Sequence, residues 1–201
     1  MDAVTTMREG TLHDFPGVYR VCRLTGHAGR DATSRHANPD LLGHLWAGPY
    51  LAFPEAVTRV IHDDQGVAGY CLAVPDTAAF EHWLDTVWLP PLRERLPLGS
   101  GTTEADRALV ERIHETPRPD AALLAEHPAH LHVDLLPRLQ GQGWGRRIMD
   151  EVVGELSREG VPGIHLGVDP GNTAAPGFYQ RLGFRPVTGP PGARWYGILL
   201  A

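Results

Sequence analysis

The chain has 201 residues, 42% of them apolar and 21% charged, with a net charge of -6. That length suits one domain with a real core or two very small ones. The acidic balance argues against a dedicated nucleic-acid binder, which would carry a basic stripe, and is mildly compatible with a cationic substrate. Glycine (23) and proline (18) are enriched but stay below the level of a disordered chain.

Residues 3–9 suit a short strand. Asp14 then reads as the N-cap of a helix with Pro16 in its first turn, Phe15, Val18, Tyr19 and Cys22 on one face, and Gly26 as its stop. A second helix begins at Asn38-Pro39, presents Leu41, Leu42, Leu45 and Trp46, and ends before Gly48-Pro49. Residues 56–74 form two apolar runs around "DDQG", a hairpin pattern. Phe80, Trp83, Leu84, Val87 and Trp88 fall at helical spacing after Asp76, until Pro90-Pro91 interrupts them. "PLGSGTT" (97–103) is a loop, Thr103 and Asp106 form a capping box for a helix to about 115, and the proline-rich "TPRPD" follows.

"HLHVDLLP" (130–137) alternates His130, His132 and Asp134 against Leu131, Val133 and Leu135, the period of a strand. Next comes "LQGQGWGRRIMDEVV" (139–153), a glycine-rich turn running into an amphipathic helix. Its stripe is Ile148, Val152 and Leu156, with Met149 and Val153 beside it; Gly160–Gly163 ends it. A strand (164–168), a short helix (172–184) and a terminal strand (195–201) complete the chain. Strand, turn, helix and strand make one βαβ unit and hence one parallel pair. The fold class expected is α/β: a mixed, mostly antiparallel central sheet with one parallel, splayed strand pair and helices on both faces. A single domain is expected, with 76–128 as a helical insertion covering part of the substrate side.

Cys22 and Cys71 lie far apart, without zinc spacing, and read as free buried thiols. The histidines show no ligand spacing, so no metal is expected. "MDAVTTMREG" lacks a signal-peptide core, and no run approaches the roughly 18 apolar residues of a membrane span. A cytoplasmic protein without membrane or nucleic-acid partners is expected.

The glycine turn is not a P-loop, because Gly145 is followed by Arg146 and no hydroxyl for magnesium. It also departs from the dinucleotide fingerprint: Arg146 stands at the third glycine position, and the loop comes late in the chain. A loop that wraps a pyrophosphate at a helix N-terminus fits better. Gly143 and Gly145 would let phosphate approach the backbone, and Arg146 and Arg147, which oppose the helix dipole, would gain an anionic partner.

Two motifs carry a resemblance. Gln140-Gly141-Gln142-Gly143-Trp144-Gly145 resembles the [RQ]-x-x-G-x-[GA] acyl-CoA loop of the GNAT superfamily of N-acetyltransferases, after a strand ending in Pro137. Asn172, Ala175, Phe178-Tyr179 and Gly183-Phe184 match that family's N-x-x-A-x-x-[FL]-Y-x-x-x-G-F element. The likeness is best over 130–186 and extends to the acetyltransferase-like C-terminal domain of O-GlcNAcases and its bacterial stand-alone relatives. It implies acetyl-CoA as cofactor, a small-molecule or peptide amine as acceptor, a possible homodimer, and a direct transfer in a ternary complex. It also implies contact with the cofactor by Gln140, Gly141, Gln142, Gly143, Trp144, Gly145, Arg146, Asn172, Phe178 and Tyr179. The main-chain N–H near Leu135 would polarise the carbonyl, and Tyr179 would protonate the thiolate. Asp134 comes first as general base, then His132; His165 is a weaker candidate and His130 shares the strand face. Asn172 also suits a helix N-cap. Trp46, Trp83 and Trp88 could wall a substrate pocket, though their spacing fits core packing better. The alternative function is a module that keeps the fold and the cofactor without catalysis. Amino sugar, polyamine, antibiotic, amino acid and protein lysine all remain open as acceptors.

Overall fold

The computed structural model describes residues 4–115 and 120–200. β1 (Thr6–Glu9) leads through a 3-10 turn to α1 (Phe15–Thr25), α2 (Leu41–Trp46) and α3 (Gly48–Ala52). The hairpin of β2 (Val57–Asp63) and β3 (Gly66–Val74) follows, turning at Gly66 with φ 94°. Four helical pieces come next: α4 (Thr77–Trp83), α5 (Leu89–Arg95), α6 (Glu104–His114) and α7 (Ala121–Glu126). β4 (Ala129–Leu135), α8 (Trp144–Arg158), β5 (Gly163–Val168), α9 (Ala175–Arg181), β6 (Arg185–Val187) and β7 (Arg194–Leu199) complete the order.

The strands form one sheet in the order β1-β2-β3-β4-β5-β7-β6. Every neighbouring pair is antiparallel except β4 and β5. Those two pair in parallel at only Ala129↔Ile164 and His130↔His165, and part beyond that point. The mixed, mostly antiparallel sheet with one splayed parallel pair is therefore as expected. Helices cover both faces, and consecutive residues of β3 show it. Cys71 touches Met149 of α8 (S···S 3.9 Å), while Tyr70 meets Cys22 of α1 on the other side. The α8 stripe is fully used: Ile148, Met149, Val152 and Leu156 are each at most 1% exposed. Burial of each contributes about 1.5–3 kcal/mol. Both cysteines are free and buried, and no described helix is long and apolar enough to cross a membrane.

Three local expectations are corrected. Asp14 does not cap α1; it is in helical conformation itself, and its carboxylate pairs with Arg8 (2.7 Å) and accepts the Thr11 N–H (2.9 Å). The second helix ends before Gly48-Pro49 as expected but begins at Leu41, not at Asn38-Pro39, and Gly48-Pro49 opens a further helix, α3; Pro90-Pro91 does not interrupt the helical run but sits in the first turn of α5. Proline at N1 or N2 lacks an N–H the helix would leave unpaired anyway, so it starts a helix as readily as it stops one. Between α4 and α5 the chain runs through a π-type turn at Leu84–Trp88, which keeps the aromatic stripe continuous. The capping box is formed as expected, with Thr103 Oγ1 accepting the Asp106 N–H at 3.0 Å. Two short elements, α7 and β6, were not foreseen. The region 76–128 is mostly helical where it is described, broken by the expected loop at 97–103; most of "TPRPD" (116–119) lies outside the described residues.

Candidate active site

The site is built on the end of β4 where β5 leaves it. Leu136 N–H donates to Ala68 C=O at 2.9 Å, which sets the phase of the β3–β4 ladder. Backbone groups alternate sides along an antiparallel strand. Asp134 and His132 therefore bond toward β3, while Leu135, Val133 and Leu131 direct theirs toward β5. Because β5 pairs no further than His130, the Leu135 and Val133 N–H groups face the gap instead of a neighbouring strand. The Leu135 carbonyl on the same edge accepts the Gln140 side-chain amide at 2.9 Å.

On the α1 face of β4 the three polar side chains have separate environments. Asp134 accepts the Tyr70 hydroxyl at 2.6 Å, with Thr25 and Cys22 of α1 beside it. Burial pushes this carboxyl up to about 6, against the Tyr70 and Thr25 hydrogen bonds that lower it. His132 stands edge-on to the Tyr50 ring at 5.2 Å. Burial, helped by the positive charge of Arg112, pulls it down to about 4, so it is neutral at pH 7. His130 is committed elsewhere. Thr77 Oγ1 donates to Pro128 C=O (2.6 Å), so His130 Nδ1–H donates to Thr77 (2.7 Å) and Nε2 accepts from Tyr50 O–H (2.6 Å). Both ring nitrogens are used, and His130 has none left to take a proton. His165 lies buried on β5, with Nδ1 donating to the His127 carbonyl at 2.7 Å.

Tyr179 projects from α9, 9% exposed, between Phe178, Phe184 and Tyr196. Burial first, then the charge of Asp134, keeps its phenol protonated far above neutral pH. Its hydroxyl makes no hydrogen bond to a described residue. Asn172 lies two residues before the N-cap of α9, Ala174, and its Oδ1 accepts the N–H of the first helical residue, Ala175, at 3.2 Å.

The glycine loop leaves the backbone open at the start of α8. Gly141 (φ 72°) and Gly143 (φ 83°) are left-handed, and a Cβ on either would meet nothing within 4 Å. The first intrahelical bond of α8 is Arg147 N–H to Gly143 C=O (3.1 Å), so the N–H groups of Trp144, Gly145 and Arg146 have no intrahelical acceptor. Gly145 also makes room for its neighbours. A Cβ there would stand 3.1 Å from Phe178 and 3.3 Å from Leu135. The two arginines already have partners for their side chains. Arg146 donates to the Arg181 carbonyl at the end of α9 (3.1 Å), and Arg147 stacks 5.1 Å from the Trp144 ring. Gln140 and Gln142 brace the loop through Leu135 and Arg138 carbonyls.

Sequence reasoning brought Asp134, His132, Leu135 and the loop to one place but missed Tyr70, which lowers the carboxyl that burial raises, and Tyr50 and Thr77, which occupy the His130 nitrogens. Only β-strand register could have found Tyr70. The tryptophans divide. Trp83 packs between Phe53, Phe80 and Trp88, and Trp46 stacks under Arg112 of α6. Trp88 also walls a cavity away from this site.

An unpaired N-terminal turn under left-handed glycines lies beside a strand gap edged by N–H donors, a geometry able to hold a phosphate-bearing chain. Residues 30–184 match the model of the Acetyltransferase (GNAT) family. Protein O-GlcNAcase of Rattus norvegicus is 24% identical over 183 residues, 90% of this chain. The chain spans about a fifth of the length of that relative. The solved structure of SsHAT has a TM-score of 0.85 and 32% identity, covering 98% of each chain. That of yncA from Salmonella typhimurium, with its cofactor acetyl-CoA, has a TM-score of 0.54 at 16% identity over 98% of this chain and 94% of its own, a likeness of fold. The chain belongs to the GNAT family of acetyltransferases, enzymes that use acetyl-CoA.

Proposed function

We propose that this protein is an N-acetyltransferase that passes the acetyl group directly to a primary amine while cofactor and acceptor are bound together. The observation that supports it most is the pairing of Asp134 with the Leu135 N–H, an acid–base group beside an unpaired donor on the open edge of β4. Acetyl-CoA, when bound, supplies the acetyl group as a thioester. The N–H groups of Trp144, Gly145 and Arg146 would hold its pyrophosphate, and the Leu135 N–H would hold the acyl oxygen. Gly141 and Gly143 keep the approach open; Phe178, packed on Gly145, and Asn172 set the position of α9.

Asp134 takes the proton of the attacking amine, directly or through one water. A carboxylate held near 6 is still ionised at neutral pH and is a stronger base than an ordinary aspartate. Tyr179 returns a proton to the sulfur as the C–S bond breaks and the C–N bond forms. His132, neutral and held near 4, acts as a polar wall of the acceptor side and a weak second base.

A second reading, a cofactor-binding module without turnover, draws on the 9% exposure of Tyr179. Thiol release across spermidine, glucosamine, lysine, a lysine peptide and an aminoglycoside separates the two. Catalysis predicts release above background with at least one amine and a loss of roughly a hundredfold in kcat for Tyr179→Phe. Background rates with every amine, alongside calorimetric binding of acetyl-CoA, would establish the module instead.

A further inference from the structure

A second cavity lies on the outer side of α1, between that helix, the segment entering α2, and α5. It measures about 670 Å³, within the roughly 300–1,000 Å³ range of small-ligand pockets. Asp134, His132, Tyr179 and the glycine loop do not line it. Its walls are aromatic: Phe15 and Trp88 stack at 6.2 Å and 23°, with Tyr19 next to Phe15 at 5.7 Å. Its charge is cationic, with Arg20, Arg23 and Arg95 against the single carboxylate of Asp40, in a chain of net charge -6.

Arg20 is held, donating to the Val67 carbonyl at 2.6 Å. Arg23 is the anomaly. Among the described residues, its Nε is the one buried side-chain nitrogen or oxygen with no hydrogen-bond partner. Neither Arg23 nor Arg95 forms an ion pair with a described carboxylate. A buried N–H of a permanently charged group is strongly disfavoured without an acceptor. No described residue accepts from this N–H, although the Asp31 carboxylate lies near enough to feel the Arg23 charge, and the guanidinium fork matches a carboxylate in shape as well as charge.

We propose that this cavity binds a small organic carboxylate with a flat apolar body, the carboxylate on Arg23 and Arg95 and the body against Phe15, Tyr19 and Trp88. The site is independent of acetyl transfer and would stand whether or not the enzyme turns over.

The test is calorimetric titration of the whole chain with naphthylacetate and with its uncharged amide, each with and without saturating acetyl-CoA. The carboxylate should bind roughly tenfold more tightly than the amide, and acetyl-CoA should leave its affinity unchanged. Arg23→Gln and Arg95→Gln should each weaken it by about tenfold, while Arg185→Gln on β6 should not change it. Equal binding of acid and amide, no binding of either, or displacement by acetyl-CoA would overturn the proposal. So would arginine variants that melt like the parent and keep its affinity. The acid–amide comparison needs no variant, so it decides the matter even if Arg23→Gln unfolds the chain.

Discussion

Replacing Asp134 with asparagine should make the protein more stable at neutral pH and catalytically silent. The carboxyl is raised by burial from 3.8 to about 6. Its folded value lies above its unfolded one, so the folded state binds the extra proton between those two values. Stability at this residue is therefore unaffected below about pH 4 and falls as pH rises toward 6. The displacement corresponds to about 3 kcal/mol of disfavour at pH 7. Asparagine has the same shape and can still accept the Tyr70 hydroxyl, but it does not titrate. Urea unfolding of both proteins from pH 4.5 to 7.5 isolates the effect, because every other titrating group cancels in the difference. The stability advantage of Asp134→Asn should grow with pH toward that 3 kcal/mol, and the rise of kcat/KM through pH 6 should vanish with the activity. A difference that stays flat across this range would refute the claim that burial sets the Asp134 proton affinity.

Tyr70→Phe removes a hydrogen bond that lowers the Asp134 pKa, so the rising limb of the kcat/KM profile should move to higher pH, with about 1–2 kcal/mol of stability lost. His132 has the opposite sign: its folded value of about 4 lies below the unfolded 6.5, so its stabilisation is complete above 6.5 and lost on acidification. His132→Phe should therefore remove up to about 3 kcal/mol of acid sensitivity between pH 7 and 4 in the same unfolding series. Gly143→Ala, at φ 83°, should lower stability by about 1–2 kcal/mol and weaken acetyl-CoA binding by calorimetry. Gly145→Ala has no φ penalty but crowds Phe178, so it should cost about 1–3 kcal/mol and lower kcat through its neighbour Tyr179.

Elements with a clear period were legible from the chain. The α8 stripe buries the side chains its spacing predicts, and the β2–β3 hairpin and β4 form where their patterns place them, although helices on both sides of the sheet bury β3 on both faces. Short elements were not. α7 has six residues and β6 has three, too few to show a period, and Pro186 makes β6 read as loop. The misreading of Asp14 has a different cause. Aspartate before a proline-bearing helix is a sound local cap pattern, but Arg8 and His62 reach the same carboxylate from β1 and β2. A non-local ion pair displaced a local hydrogen bond.

The site divides along the same line. The loop was legible because left-handed glycines and an open helix N-terminus are properties of a few consecutive residues. The proton chemistry was not, because His130, His132 and Asp134 are equivalent by period on one strand face. What separates them arrives from elsewhere in the chain. Tyr50 and Thr77, 80 and 53 residues from His130, occupy both its nitrogens. Arg112, carried in by α6, adds its charge to the burial that pulls His132 down. Tyr70, 64 residues from Asp134, meets it only because Gly69 pairs with Leu135 in the β3–β4 register. A slip of one residue in that register would turn Tyr70 away from Asp134 and point Cys71 or Gly69 at it, leaving a buried carboxylate without its donor. The environment of the proposed base is therefore a property of the ladder and not of the strand that carries it.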